Sequence, residues 1–156
     1  KLLDHMEKED ADEIRTLMDY EDTTVGSIMN TEFISFSPGL TVEETINELR
    51  KLKPSSEIAY YLYVVDGLRR LMGVVSLRDL IVTEPSVKLS EILDTNTLSI
   101  KDTDTLDKAT ELVTKYDLLA VPVVNDKNVL VGLAILGDIV DEVLLPRWKR
   151  RLGKAV

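Results

Sequence analysis

Three carboxylates stand close together late in the sequence: Asp138, Asp141 and Glu142, spaced i, i+3 and i+4. If the stretch opening at Leu136 is helical, they share one face, where like charges repel by roughly 0.2–0.5 kcal/mol per pair. A hard divalent cation would relieve that repulsion, since such ions take oxygen ligands and often need only one or two carboxylates beside retained waters. Asp102, Asp104 and Asp107 form a second acidic patch, and Asp117 follows an amphipathic stretch. The competing reading is that acids in a first helical turn serve the helix dipole and the others are merely solvated. Other reactive types are scarce. One histidine (His5) and no cysteine argue against histidine- or thiolate-bound zinc and against a His-dependent triad. No G-x-x-x-x-G-K-[ST] loop occurs, and no acid pair stands isolated among apolar residues. Catalysis therefore has little support.

Composition narrows the frame around these residues. The chain has 156 residues, a net charge of -9, 44% hydrophobic and 30% charged residues. That length suits one ordinary domain with a real core, and the absence of cysteine suits a reducing compartment. No apolar run nears the ~20 residues of a membrane span, and residues 1–12 carry no signal-peptide core. Charge is uneven: residues 147–156 carry +5, which leaves -14 on residues 1–146. Such a field repels nucleic acid and attracts cations. The basic tail, with Trp148 inside it, suits a lipid headgroup surface or the cytoplasmic flank of a membrane helix, or else a frayed terminus.

An internal repeat must position the candidate residues. It runs from about Thr23 to Val82 and again from about Ser86 to Leu144. Thr41-Val42-Glu43-Glu44 matches Thr105-Leu106-Asp107-Lys108, each opening an amphipathic helix. Thr41 and Glu44 have capping-box spacing, and Thr105 is a second N-cap. The predicted apolar faces are Val42, Ile46, Leu49 and Leu52, then Leu106, Ala109, Leu112, Val113 and Tyr116. Strands are predicted at Leu62–Asp66 and Val121–Asn125, then at Leu71–Ser76 and Leu130–Ile135. Closing helices are predicted at Leu77–Val82 and Leu136–Leu145. The first repeat holds five extra residues around Pro54-Ser55-Ser56. Tyr60 is expected to face opposite to Tyr61 and Tyr63 only if that stretch is extended. Units of about 60 residues are small for independent stability, so two are expected to pack as one pseudo-symmetric α+β body. Lys1–Tyr20 reads as an acidic helix outside both repeats, as if this chain were a piece of something longer.

The repeats end in Gly-x-x-Ser/Thr-x-x-Asp: Gly73, Ser76 and Asp79 in the first, Gly132 and Asp138 in the second, where Ile135 replaces the hydroxyl. This pattern, with βαββα order, resembles a tandem CBS-domain pair. Tyr20-Glu21-Asp22-Thr23, Ile28-Met29, Ala59–Asp66 and Gly73–Val82 resemble more narrowly the cytosolic region of the MgtE magnesium transporter family. The resemblance implies residues 1–20 as the last helix of an acidic N domain, 21–84 and 85–145 as CBS modules, and 146–156 as a basic tail. It departs beyond Val143, where Pro146 and the basic run intervene. Two contexts stay open: a divergent transporter with membrane helices, or a soluble regulator.

The resemblance also implies ligands. Family counterparts of Asp117, Asp138 and Asp141 take part in Mg²⁺ binding at domain interfaces, where the ion would favour a compact arrangement. CBS pairs bind adenosine compounds such as ATP or AMP between modules. There Ser76 would face phosphate, Arg78 would supply charge, Asp79 would accept from ribose hydroxyls and Tyr61 would pack on adenine. Alternatively, Ser76 is only the N-cap and Asp79 an early-turn acid. The second cleft, with Ile135, is expected to be poor for phosphates. The implied assembly is a homodimer at the cytosolic face of the membrane, with an upstream acidic domain and a downstream membrane domain as partners.

Overall fold

The computed structural model describes residues 24–144, so the readings on residues 1–20, His5, the basic tail and Trp148 lie outside the described residues. Two three-stranded sheets are built alike. In the first, β1 (Ser35–Phe36) pairs parallel with β2 (Tyr61–Val65), which pairs antiparallel with β3 (Leu71–Ser76). Between β1 and β2 lie α1 (Val42–Leu52) and a short α2 (Ser56–Ala59), and α3 (Leu77–Val82) closes the module. After α4 (Leu89–Ile92), the second module repeats the plan. Its elements are β4 (Ile100–Lys101), α5 (Leu106–Lys115), β5 (Ala120–Val124), β6 (Leu130–Ile135), α6 (Leu136–Ile139) and a π-helical turn, Val140–Leu144. Sheet order is β1-β2-β3 and β4-β5-β6. Both hairpins carry a bulge at the matching place, Val64/Val65 and Val123/Val124. The fold is α+β in two modules of the same plan, as the repeat implied and as the resemblance to a CBS-domain pair led one to expect.

Local chemistry explains where the long helices start. The Thr41 hydroxyl accepts from the Glu44 N–H at 3.2 Å while the Glu44 carboxylate accepts from the Thr41 N–H, a complete capping box. Thr105 caps α5 from the Lys108 N–H. The apolar faces pack as predicted except at their ends, where Leu52 and Tyr116 are exposed. The five extra residues become the approach to α2. That helix holds Tyr60 in helical geometry as its C-cap, so Tyr60 is not extended and stands half exposed. β2 and β5 each begin one residue earlier than predicted.

The hairpin turns are also paired. The Asp66 side chain accepts from the Leu68 and Arg70 N–H groups, and the Asn125 side chain from those of Lys127 and Val129. The Arg70 N–H, followed by its guanidinium, holds the Asp66 carboxyl below the usual carboxylate range.

The modules exchange their leading segments. Val25 and Gly26 donate to the carbonyls of Asp104 and Asp102, and Asn30 pairs with Leu133, all in module 2. Reciprocally, Val42 donates to Val87, Leu89 donates to Leu40, and Asp94 pairs with Val74 of module 1. The cores follow the same exchange. Val25 and Met29 are buried with Ile100, Ala109 and Val113, whereas Leu89 is buried with Phe36, Leu62 and Leu80. Each of these apolar side chains stabilises its adopted module by roughly 1.5–3 kcal/mol. Gly73 and Gly132 exist at the crossing points. A Cβ on Gly73 would collide with the Asp94 carbonyl oxygen and the Leu93 side chain, and one on Gly132 would lie 2.8 Å from the Met29 sulfur. A third cluster, with Tyr63, Ala120, Leu130 and Leu133, joins the two sheets.

Candidate functional site

Two cavities arise from this exchange. The first, about 410 Å³, opens between the leading segment seated on module 2 and the closing turn of that same module. Ser27, Asn30 and Glu32 line one side, and Asp138, Asp141 and Glu142 the other. The α6 helix begins without a side-chain cap, because Ile135 has no hydroxyl and is buried against the inter-sheet cluster. After four residues it passes into the π-helical turn, so the single α-helical stretch predicted to Leu145 is not formed through the described residues. The carboxylates of Asp138, Asp141 and Glu142 still reach one cavity, and Glu32 joins them from more than a hundred residues away. Among the described residues, no three acidic side chains converge tightly enough to enclose a bare metal ion. Four carboxylates around an open cavity suit a cation that keeps its waters, which is how Mg²⁺ is usually held. Asp117 does not line this cavity. It is exposed just past α5 with φ 52, a left-handed conformation that Asp adopts more easily than most side chains.

The second cavity, about 240 Å³, lies between the modules. Tyr61, Tyr63 and Val74 form one wall, Leu118 and Pro122 the other, and Asp94, Asn96 and Thr97 the polar rim. Mostly apolar walls with a few polar groups fit a flat heterocycle carrying hydroxyls. The Tyr63 phenol is pushed well above its ordinary range, first by burial and then by Tyr61, so it stays protonated. Ser76 pairs with Tyr61 across β2 and β3, but Ser76, Arg78 and Asp79 do not line this cavity. The Ser76 oxygen accepts from the Asp79 N–H at 3.1 Å and caps α3. Its own hydrogen remains a donor. The Arg78 side chain is largely exposed, 3.8 Å from the Asp79 carboxylate, a weak pair at that exposure.

The structure thus brings Asp138 and Asp141 together, keeps Asp117 apart, and sets Ser76 beside Tyr61 across the strands but outside the cavity that Tyr61 lines. The sequence reading missed Glu32 and the Asp94–Thr97 rim. A signal existed: Asn30 and Asp94 each lie eleven residues ahead of a helix cap, Thr41 and Thr105.

Comparison with known proteins agrees with the geometry. The CBS domain family model matches residues 25–84 and 89–145. The magnesium transporter MgtE of Thermus thermophilus is 35% identical over 141 residues, covering 90% of this chain and 31% of the transporter. Its counterpart in Enterococcus faecalis is 38% identical over 135 residues, covering 86% of this chain and 30% of that protein. The chain therefore spans about a third of the length of these curated relatives. The crystal structure of the cytosolic domain of the Mg²⁺ channel MgtE in complex with ATP superposes with a TM-score of 0.85 at 35% identity. That match covers 90% of this chain and 56% of the crystallised one.

Proposed function

Because the chain belongs to the CBS-domain family and shares its fold with the MgtE cytosolic domain, we propose that it is the Mg²⁺-sensing regulatory module of an MgtE-like magnesium transporter. The observation that carries this reading is the acidic cavity, where Glu32 of the exchanged segment faces Asp138, Asp141 and Glu142. Without a cation, the carboxylates of Glu32, Asp141 and Glu142 repel across the cavity. With hydrated Mg²⁺ between them, the repulsion is screened and the leading segment is drawn onto the closing turn. A ligand shifts such an equilibrium only by its differential affinity for the two states. Asp117 would serve a separate interface with another domain. In this reading the module performs no catalysis of its own. It sits at the cytosolic face of the membrane and reports through the upstream acidic domain and a downstream membrane domain. It pairs as a homodimer through its CBS modules, for which the exposed Leu77, Ile81 and Val82 of α3 offer an apolar face.

Thermal unfolding tests the proposal. Mg²⁺ at ten times its dissociation constant contributes about 1.4 kcal/mol, or about 3–6 °C for a chain of this size. That rise should vanish in Asp138→Asn and shrink in Glu32→Gln, with ionic strength matched. An unchanged melting temperature and unchanged particle size between chelator and millimolar Mg²⁺ would sink the reading.

A second reading, adenine-nucleotide binding, is favoured by the tyrosine-walled cavity and by the ATP-bound relative. Tyr61 would stack on the base, with Ser76, Arg78 and Asp79 meeting ribose and phosphate beyond its rim. Titration with ATP and AMP should then weaken in Tyr61→Ala and Asp79→Asn while the response to Mg²⁺ survives. Unaltered affinity in both variants would place any nucleotide elsewhere.

A further inference from the structure

A third cavity, about 430 Å³, lies between the leading segment and the outer part of β6, with Met29, Phe33, Leu130 and Val131 among its walls. Among the described residues its only charged lining residue is Arg69, which is exposed, and Thr31 adds a hydroxyl. It shares only Met29 with the acidic cavity and no residue with the tyrosine-walled one. The neighbouring Arg70 is held by Asp66 at 2.8 Å, whereas the Arg69 guanidinium has no hydrogen-bond or ion-pair partner among the described residues. The turn does not ask for an arginine. Arg69 has φ 65, and the matching position of the other hairpin, with φ 62, is held by Asn128, a residue type that adopts this conformation readily. The Arg69 backbone is fixed by its own turn and by its carbonyl, which accepts from the Leu130 N–H. What the arginine adds is a cation at the rim of an apolar groove that holds no acid among the described residues, in a chain whose net charge is -9.

We propose that this groove binds a small apolar carboxylate, independently of the cation and nucleotide readings. The Arg69 guanidinium would take the carboxylate in a two-pronged pair, with the Thr31 hydroxyl as a further donor. Met29, Phe33 and Val131 would pack on the apolar body, in a volume within the usual range for small-ligand sites.

Octanoate, 1-octanol and AMP serve as probes against the whole chain, followed by backbone amide shifts and calorimetry. Octanoate should bind saturably and move the amides of residues 29–33 and 129–131. Arg69→Asn suits the turn, so the variant should fold as well as the parent and bind octanoate at least tenfold more weakly. Octanol should bind both proteins alike and weakly, and AMP should not compete. Equal octanoate binding by the parent and Arg69→Asn, octanol binding as tight as octanoate, competition by AMP, or no saturable shift at those amides would each overturn the proposal.

Discussion

The two closing helices grow from matching positions and differ from the cap position on, where Ser76 stands against Ile135. Ser76 caps α3, which runs six residues in ordinary helical geometry. Ile135 cannot cap. It packs into the inter-sheet cluster instead, and its helix holds four residues before the π-helical turn. Only the second end carries three acids into a cavity with Glu32. The difference shows how one scaffold builds two unlike ends. The hydroxyl end keeps a compact capped helix, and the isoleucine end exchanges a cap for packing and carries carboxylates to an open cavity. The glycines differ in degree, since Gly73 is pressed hardest by the Asp94 backbone with Leu93 beside it, and Gly132 by the Met29 side chain with the Asn30 carbonyl oxygen a little farther away.

The glycines give the largest expected effect. In Gly73→Ala the added methyl must displace the Asp94 backbone, so the exchanged segment unseats; overpacking of this kind costs about 3 kcal/mol. In Gly132→Ala the closest neighbour is the adaptable but buried Met29 side chain, with the Asn30 carbonyl oxygen at 3.1 Å, and the cost should be smaller, about 1–2 kcal/mol. Urea denaturation measures both, and amide exchange should rise at residues 89–94 in the first and 25–30 in the second. Equal losses would mean that the two segments are seated alike.

Next comes the cap itself. Ser76→Ala should cost about 1 kcal/mol, the usual worth of an N-cap hydroxyl. Ile135→Thr should be milder than its burial alone suggests, a net loss of about 1 kcal/mol or less, because a new cap offsets the lost apolar contact. A loss near 3 kcal/mol in Ile135→Thr would show that packing alone decides this position.

Much of this contrast was legible before any coordinates. The Thr41–Glu44 box, the bounds of β3, β6 and α3, and the substitution of Ile135 for a hydroxyl are local facts, governed by spacing and residue type. The acidic cavity was legible only by half. Asp138 and Asp141 are close in sequence, but Glu32 reaches them because module 1 lends its leading segment to module 2, and no periodicity encodes that exchange. Tyr60 was ambiguous for a related reason. Its apolar neighbours read as strand, and the short helix α2 overrides them. The π-helical turn was hidden too, since an i, i+3, i+4 pattern of acids looks the same whether the backbone closes on α or π hydrogen bonds.

The smallest expected effect is the sharpest in sign. In chelator, Asp141→Asn should stabilise the chain by about 0.2–0.5 kcal/mol, because it removes one of the like charges gathered around the acidic cavity with Glu32 and Glu142. Asp79→Asn should do the opposite and cost about 0.3–1 kcal/mol, because Asp79 is the only acid in the first turn of a capped helix and favours its dipole. Raising salt should shrink both differences, since Asp141 is exposed and Asp79 partly so. Millimolar Mg²⁺ should reverse the sign for Asp141→Asn alone, since the parent then gains a screened cavity that the variant only partly retains. Two shifts of the same sign in chelator would mean that the acids of both closing helices do the same work, and the distinction between the two ends would fail.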